Sequence, residues 1–365
     1  MPHLDTDHPA NGVEPLLGIV IVARNEEPYI RACIESTLHI AADFDSCHVV
    51  IVDSRSTDRT IAIACQYAVT VVRIHDGIHC TAALGRAIGQ QLTPGQFILF
   101  VDGDTQIEPS WVQSAVSLMH DHANIAGVGG KLREVYYRDG TPIGNDADFF
   151  DMGDVVEDTY QLGGNALYRR AALDDVGSFD PGIISHEEAE LAERLRCAGY
   201  RVVRIPLTVG THHTGPRKAL TECWRRFRAG LMIGYGQVLR LSLGTPRIWS
   251  HVRELNRHLC WLVFMTVGLI AAVNAASRAD WRLLLIWVAT AGTVTSALIV
   301  RRRDVSMALV VLTEWTLAAP AIVWGFVRGR TAYPNLAPPP VDTVHSADQT
   351  PPHFQTSDPR RVVTC

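Results

Sequence analysis

The sequence predicts an α/β fold, a mostly parallel sheet with helices on both faces, followed by C-terminal transmembrane helices. Three observations predict it. Residues 16–206 alternate short apolar runs with amphipathic stretches, about 25 residues to each strand–helix unit. Residues 259–276, 283–300 and 305–327 are apolar runs, the first two uncharged and the third with only Glu314; each is long enough to cross a hydrocarbon core of about 30 Å. Charged residues make up 19% of the 365 and hydrophobic residues 47%, whereas soluble chains carry about a quarter charged residues.

Taken in order, residues 1–15 are polar with no apolar stretch, so they read as a disordered N-terminus and not as a signal peptide. Residues 17–22, 48–52, 70–74, 97–101 and 125–128 are the runs expected as buried strands. Between them, 28–40, 56–67, 81–91 and 110–122 carry helical patterns. Thr57 or Asp58 suits the start of the second, and Glu108-Pro109-Ser110 opens the fourth with helix-start chemistry. A further stretch, 165–206, holds a helix at 187–198 and a strand at 201–205. The α/β domain is expected to cover 16–213. Residues 214–258 then carry eight arginines and Lys218 against Glu222 and Glu254, interleaved with Trp224, Phe227, Tyr235 and Trp249. That composition predicts a basic amphipathic segment at a membrane surface. Three spans are expected over 259–327. The tail, 328–365, with Pro338-Pro339-Pro340 and Pro351-Pro352, reads as disordered.

Arg247, Arg253 and Arg257 precede the first apolar run and Arg301, Arg302 and Arg303 follow the second, while Arg278 and Arg282 between them are offset by Asp280. Positive-inside counting puts the N-terminal domain on the cytosolic face of the cell membrane. A net charge of −5 and a pI near 6.3 argue against a nucleic-acid partner. The eight cysteines are spread singly with no CxxC pair, which suits reduced thiols and neither a zinc site nor a disulfide framework.

The chemistry concentrates at strand ends. The run 97–101 ends in Asp102-Gly103-Asp104, two carboxylates with a glycine between them, at the position where open α/β sheets bind ligands. Two acids there suit a hard divalent cation bridging phosphates, and they also suit a loop pair capping the next helix. The first strand runs into Ala23-Arg24-Asn25-Glu26-Glu27, and the second into Asp53-Ser54-Arg55-Ser56-Thr57-Asp58. Asp53 alone would serve as a helix cap, and Glu187 and Glu188 as acids favoured at a helix N-terminus.

These residues resemble the family 2 glycosyltransferases, whose second strand typically ends V-D-D/S-G-S-T-D-x-T; Arg55 stands where that glycine would be. Gly85-Arg86-Ala87-Ile88-Gly89 resembles the family's A-R-N-x-G helix, without its Asn. Gly163-Gly164-Asn165, Arg169-Arg170, Val176-Gly177-Ser178-Phe179-Asp180, Glu187-Glu188 with Leu191, Arg194-Leu195 and Ala198-Gly199-Tyr200 follow in the family's order. The likeness covers about Leu16 to Gly236 and has the motif order of membrane-anchored, cellulose-synthase-like members.

The resemblance implies a GT-A-like fold and an inverting, metal-dependent transfer of sugar from a UDP- or GDP-sugar to a membrane-associated lipid or glycan acceptor of the cell envelope. It implies Mg²⁺ or Mn²⁺ on Asp102, Asp104 and His213 (or His212), with donor contacts from Ala23, Asn25, Glu26, Asp53, Arg86, Asp102, Gly164 and Asn165. Glu188 would be the general base, with Glu187 beside it. Trp224-Arg225-Arg226-Phe227-Arg228 lies where processive synthases carry Q-x-x-R-W, so Arg225, Arg226 and Arg228 would hold the leaving diphosphate; the final Trp is absent. An interfacial helix explains the same arginines. A processive polysaccharide synthase is the enzymatic alternative. A nucleotidyltransferase, which also uses paired acids, would carry a Gly-rich phosphate loop that 16–25 lacks. Acceptor selectivity is expected in 131–162.

Overall fold

Val20 and Ile21 point to opposite faces of one strand, and both are fully buried. That strand sits at the centre of a sheet covered on two sides, as the continuous apolar run predicts. A computed structural model describes residues 16–138, 140–214, 220–330 and 341–347. The expected disordered N-terminus, Arg217 and Lys218 of the basic segment, and most of the tail lie outside the described residues.

The elements are β1 (Leu17–Ala23), α1 (Ile30–Ala41), β2 (Cys47–Asp53), α2 (Thr60–Ala64), β3 (Thr70–Ile74), α3 (Ala82–Leu92), β4 (Phe97–Asp102), β5 (Thr105–Ile107) and α4 (Pro109–Asp121). Then follow β6 (Ile125–Arg138), β7 (Thr141–Asp146), β8 (Glu157–Asp158), β9 (Ala166–Arg169), α5 (Arg170–Val176), α6 (Glu187–Cys197) and β10 (Arg201–Thr214). The helical remainder is α7 (Leu220–Arg228), α8 (Ile233–Leu241), α9 (Ile248–Glu254), α10 (Asn256–Arg278), α11 (Arg282–Arg302) and α12 (Val305–Arg328), and β11 (Val341–His345) closes the described chain.

The strands form one sheet in the order β11-β3-β2-β1-β4-β9-β6-β10-β5, with β7 on β6 and β8 on β10. The β1–β2, β2–β3, β1–β4 and β6–β10 pairs are parallel, and β9 joins β4 to β6 antiparallel. One face of the sheet packs Ile19, Ile21, Val49 and Ile51 under α1 and α4. The other packs Val20, Val50 and Val52 under α3 and α6. Gly85 and Gly89 let α3 lie directly on β1: a Cβ at either would come within 2.7 Å of Val22 or 2.1 Å of Val20. The registers Ala23↔Asp53 and Val22↔Asp102 bring the polar ends of β1, β2 and β4 to one edge of the sheet.

Four expectations change. The helix expected at 56–67 is confined to Thr60–Ala64, because Ser56, Thr57 and Asp58 spend their hydrogen bonds on the β1 loop. The strand expected at 125–128 continues to Arg138 and turns back as β7, and the strand expected at 201–205 continues to Thr214. The tail expected to be disordered contains β11, antiparallel to β3 at Val341↔Ile74 and Asp342↔Arg73. Asp342 Oδ1 lies 2.8 Å from His75 Nε2, and His345 is buried with Nε2 3.2 Å from the Tyr67 carbonyl.

The chain divides into two units, the α/β unit (with β11) and a helical unit of Ile183–His186 and Pro216–Tyr333. In the helical unit Met232, Tyr235, Leu239, Leu255, Ala318, Ala321 and Ile322 form a small core. Helices α10, α11 and α12, at 23, 21 and 24 residues, are long and apolar enough to cross a membrane. Many large apolar side chains on them are exposed, Leu269, Leu285, Ile286 and Val327 among them, while Val310 and Ile322 of α12 are buried.

Candidate active site

The first part of the site is a stitched pair of loops. The Ser54 amide donates to the Ala23 carbonyl at 2.8 Å. Asn25, at φ 57°, is a short polar residue suited to the left-handed region; its Oδ1 accepts from the Thr57 amide at 2.8 Å. The Glu26 amide donates to Thr60 Oγ1 and the Glu27 amide to Asp58 Oδ2. Arg55 has φ 63°, which explains why glycine is the usual residue there. Asp53 is buried at the floor. Its Oδ2 accepts from the Ser56 amide at 2.9 Å, while Oδ1 is buried with no hydrogen-bond partner among the described residues. Burial raises its pKa, and the Ser56 hydrogen bonds oppose that.

The second part is centred on Arg86. Thr81 caps α3, its Oγ1 accepting from the Leu84 amide at 3.0 Å, and the next turn delivers a guanidinium only 3% exposed. Arg86 Nη2 donates to Asp102 Oδ1 at 2.9 Å and Nη1 to Glu187 Oε1 at 2.6 Å, with Glu188 Oε1 3.4 Å from Nη1. Phe179 lies beneath it, 5.5 Å from ring centroid to guanidinium carbon. Burial works against its charge, but Asp102, Glu188 and Glu187 more than offset this and hold its pKa above the usual range. Asn165 fixes Asp102 from the other side, accepting from its amide at 2.9 Å. Gly164 is required by closeness: a Cβ there would lie 2.1 Å from Asp102 Oδ2 and 2.5 Å from Arg86 Nη2. The Glu187 and Glu188 side chains differ in exposure, 5% against 17%. Burial, then the Glu188 charge, pushes the Glu187 carboxyl well above the carboxylate range, against the pull of Arg86. The resemblance implies an arginine facing the donor; Arg86 lies in a carboxylate cluster that includes Asp102, on an α3 that Gly85 and Gly89 let lie against β1.

The third part is centred on His212. Its Nε2 lies 2.9 Å from Asp104 Oδ2 and its Nδ1 3.3 Å from Glu134 Oε1. His213, the preferred candidate from sequence, faces the other way. Its ring stacks on Tyr29 at 5.3 Å and its Nδ1 lies 3.2 Å from Tyr137 Oη, because consecutive strand residues point to opposite faces. Only its amide touches Asp104, donating to the carbonyl at 3.0 Å. Glu134 was not singled out from sequence; its place follows from the register His212↔Glu134, which no local pattern reports. Glu26 leans over Gly103, and burial together with the Asp104 and Asp102 charges pushes its carboxyl up to about 8, against His212.

Among the described residues no three His, Cys, Asp or Glu side chains are grouped as a self-sufficient metal site. The donor chemistry nonetheless fits a hard divalent cation. Asp104 and His212 are in contact beside Asp102, and such ions often take one or two protein ligands and complete their shell with water and substrate phosphate. In the helical unit, Arg225 pairs with Glu222 at 2.7 Å and Arg226 with Glu314 at 3.5 Å, and Arg228 lies on the same helix, α7.

Residues 18–177 match Glycosyl transferase family 2. Glycosyltransferase AglE of Haloferax volcanii is 24% identical over 295 residues, which are 79% of this chain and 90% of that protein. The succinoglycan biosynthesis protein ExoA of Rhizobium meliloti is 26% identical over 278 residues, 70% of this chain and 82% of that protein. The solved mannosyltransferase PcManGT from Pyrobaculum calidifontis, in complex with GDP-Man and Mn²⁺, matches with a TM-score of 0.57 at 18% identity, over 86% of this chain and 88% of that one, and has the same fold. The chain thus has a GT-A-like fold whose residues 18–177 match the family 2 model, and the protein is a glycosyltransferase.

Proposed function

We propose that the protein is an inverting, metal-dependent enzyme that moves a sugar from a UDP- or GDP-sugar to a lipid-linked or glycan acceptor at the cell membrane, with its α/β domain cytosolic. The observation that carries this reading is the pairing of two unlike centres on either side of Gly103. One is held by Arg86, and the other is formed by Asp104 and His212. Asp53, with an unpartnered buried oxygen, is suited to accept a hydrogen bond from the nucleotide base. Ala23, Asn25 and Glu26 form the loop beside it, and Gly164 and Asn165 keep Asp102 in place. Asp104 and His212, with Asp102 alongside, would hold Mg²⁺ or Mn²⁺, which when bound neutralises charge on the departing nucleoside diphosphate. The solved mannosyltransferase with GDP-Man and Mn²⁺ supports both the donor class and the ion.

Glu188 is the general base in this reading. Its side chain is more open to solvent than that of Glu187 and is only loosely held by Arg86, so an acceptor hydroxyl can reach it. Glu187 takes the short hydrogen bond from Arg86 and orients the cluster. The test is a donor screen on membranes holding the full chain, scoring nucleoside diphosphate release across common UDP- and GDP-sugars with and without EDTA. Release from one donor that EDTA abolishes and Mn²⁺ restores is expected. Undiminished turnover in EDTA would remove the metal from the reading.

A further inference from the structure

The tail strand constrains how the chain crosses the membrane. β11 is hydrogen-bonded to β3, in the same sheet that carries Asp53 and Asp102. Residues on both sides of the three apolar helices therefore share one aqueous compartment. Twelve residues separate Arg328 from Val341, too few for a further helical crossing, which takes about 20. Three crossings would leave β11 on the far side of the bilayer from β3.

We infer that the chain crosses the membrane an even number of times: α10 and α11 form the crossing hairpin, and α12 stays at the membrane surface on the side of the α/β domain, with lipid as its partner. This rests on chain connectivity and not on the proposed reaction.

Three observations single out α12. Its length is accompanied by α7, which carries Arg225, Arg226 and Arg228, and by α8, which carries Arg240. Cys223 Sγ reaches the Val310 carbonyl at 3.8 Å and Arg226 pairs with Glu314. Further along, Gly236 and Gly325 let the backbones of α8 and α12 touch, a Cβ on Gly325 coming within 2.1 Å of the Ile233 carbonyl oxygen. Arg240 then lies over Phe326 at 5.4 Å. From Val310 to Phe326 this covers roughly 24 Å at 1.5 Å per residue. If α12 crossed, Arg225, with its side chain 65% exposed, together with Arg226 and Arg228, would be drawn to membrane depth, where charges are expensive. Lying in the interface, the same arginines meet anionic headgroups while Leu309, Val323, Trp324 and Val327, all exposed, enter the acyl boundary. Second, α11 buries none of its residues within the protein, as a helix surrounded by lipid would. Third, α10 and α11 are joined closely enough to cross together, Trp287 Nε1 donating to the Phe264 carbonyl at 2.8 Å with its ring stacked on Phe264, while α12 meets α10 where Trp261 Nε1 donates to Thr316 Oγ1 at 3.1 Å. The hairpin then has Arg253 and Arg257 before it and Arg301, Arg302 and Arg303 after it on one side of the membrane.

The experiment places one epitope tag per full-length chain, at the N-terminus, within 279–281, between Arg303 and Asp304, or at the C-terminus, and probes right-side-out and inverted membrane vesicles with antibody. The expected result is the N-terminal, 303/304 and C-terminal tags on one face and the 279–281 tag on the other. A C-terminal tag opposite the N-terminal one overturns the even count. A 303/304 tag opposite the N-terminal one overturns the choice of α12, and a 279–281 tag on the N-terminal face overturns the crossing hairpin. Because inserted tags can disturb folding, a second arm uses the untagged chain with Asp342→Cys and Arg73→Cys, the paired positions of β11 and β3. Oxidation is expected to close an intramolecular disulfide that either single variant lacks. Absence of that disulfide in membranes overturns the shared compartment.

Discussion

Two regions of the α/β unit hold acids in contrasting ways. Around Arg86, Asp102, Glu187 and Glu188 share one buried, permanent cation. Around His212, Asp104 meets an imidazole that is charged only when protonated, and Glu26 nearby is driven to retain its proton by burial first and then by the Asp104 and Asp102 charges. The first region brings its own positive charge; the second is short of it. A cluster of the first kind positions side chains, whereas one of the second kind is suited to receive charge from outside. The glycine between Asp102 and Asp104 places the two kinds side by side, which a transfer needing both a positioned base and a neutralised leaving group requires.

The largest effect is expected where charge must be received. Asp104→Ala should abolish sugar transfer and metal-dependent donor binding while the domain stays folded, since a strand-end carboxylate contributes to the site and not to the core. Isothermal titration of donor with and without Mn²⁺, beside a melting curve, checks this; wild-type turnover by the variant would erase the distinction between the two regions. Next is Glu188→Gln, which keeps shape but cannot accept a proton. Donor affinity should hold while kcat falls by roughly 10² to 10⁴. Glu187→Gln should lose less. If the order is reversed, the base is the residue that Arg86 grips.

A smaller loss tests whether the Arg86 cluster works by position. Gly164→Ala inserts a methyl where Asp102 Oδ2 and Arg86 Nη2 leave no room. Displacement of about an ångström can cost roughly 10²-fold in rate, and overpacking costs about 1–3 kcal/mol of stability. A variant with normal initial rates and a normal melt would mean the cluster tolerates being moved. On the other side, His212→Ala should weaken Mn²⁺ activation by more than the roughly 10- to 100-fold lost with a group that only supports a metal ligand. His213→Ala, which removes a ring stacked on Tyr29, should leave Mn²⁺ activation nearly unchanged.

What sequence made legible follows from range. The apolar runs of β1, β2 and β4 and the acids that end β2 and β4 are local, so strand ends and site residues were visible together. Asp53, Asp102 and Glu187 needed only their neighbours. The Glu134–His212 contact depends on pairing β6 with β10, 78 residues apart, and choosing between His212 and His213 depends on that register. The burial of Arg86 depends on α3 reaching α6, 101 residues on. β11 adds to the sheet edge from beyond all three apolar helices, and a five-residue strand in a proline-rich tail has no periodicity long enough to announce itself.

The smallest effect concerns Arg55, in the loop that connects Asp53 to the rest of the site. At φ 63° a residue with a Cβ is strained by roughly 1 kcal/mol or more, and glycine is not. Arg55→Gly also gives the unfolded chain more freedom, which takes back about 0.4–1 kcal/mol. The net gain should be about 0.5 kcal/mol, a rise of roughly one to two degrees in Tm for a domain of this size. Arg55→Ala is the control, because it removes the guanidinium but keeps the Cβ, so its melting point should not rise. If glycine and alanine melt alike, the backbone is not the source of the effect. If both instead lose donor affinity, the Arg55 side chain, whose Nε is buried with no hydrogen-bond partner among the described residues, brings positive charge to the nucleotide. The donor end would then join the Arg86 centre as a region that supplies its own cation, and the deficit would narrow to Asp104 and His212 alone.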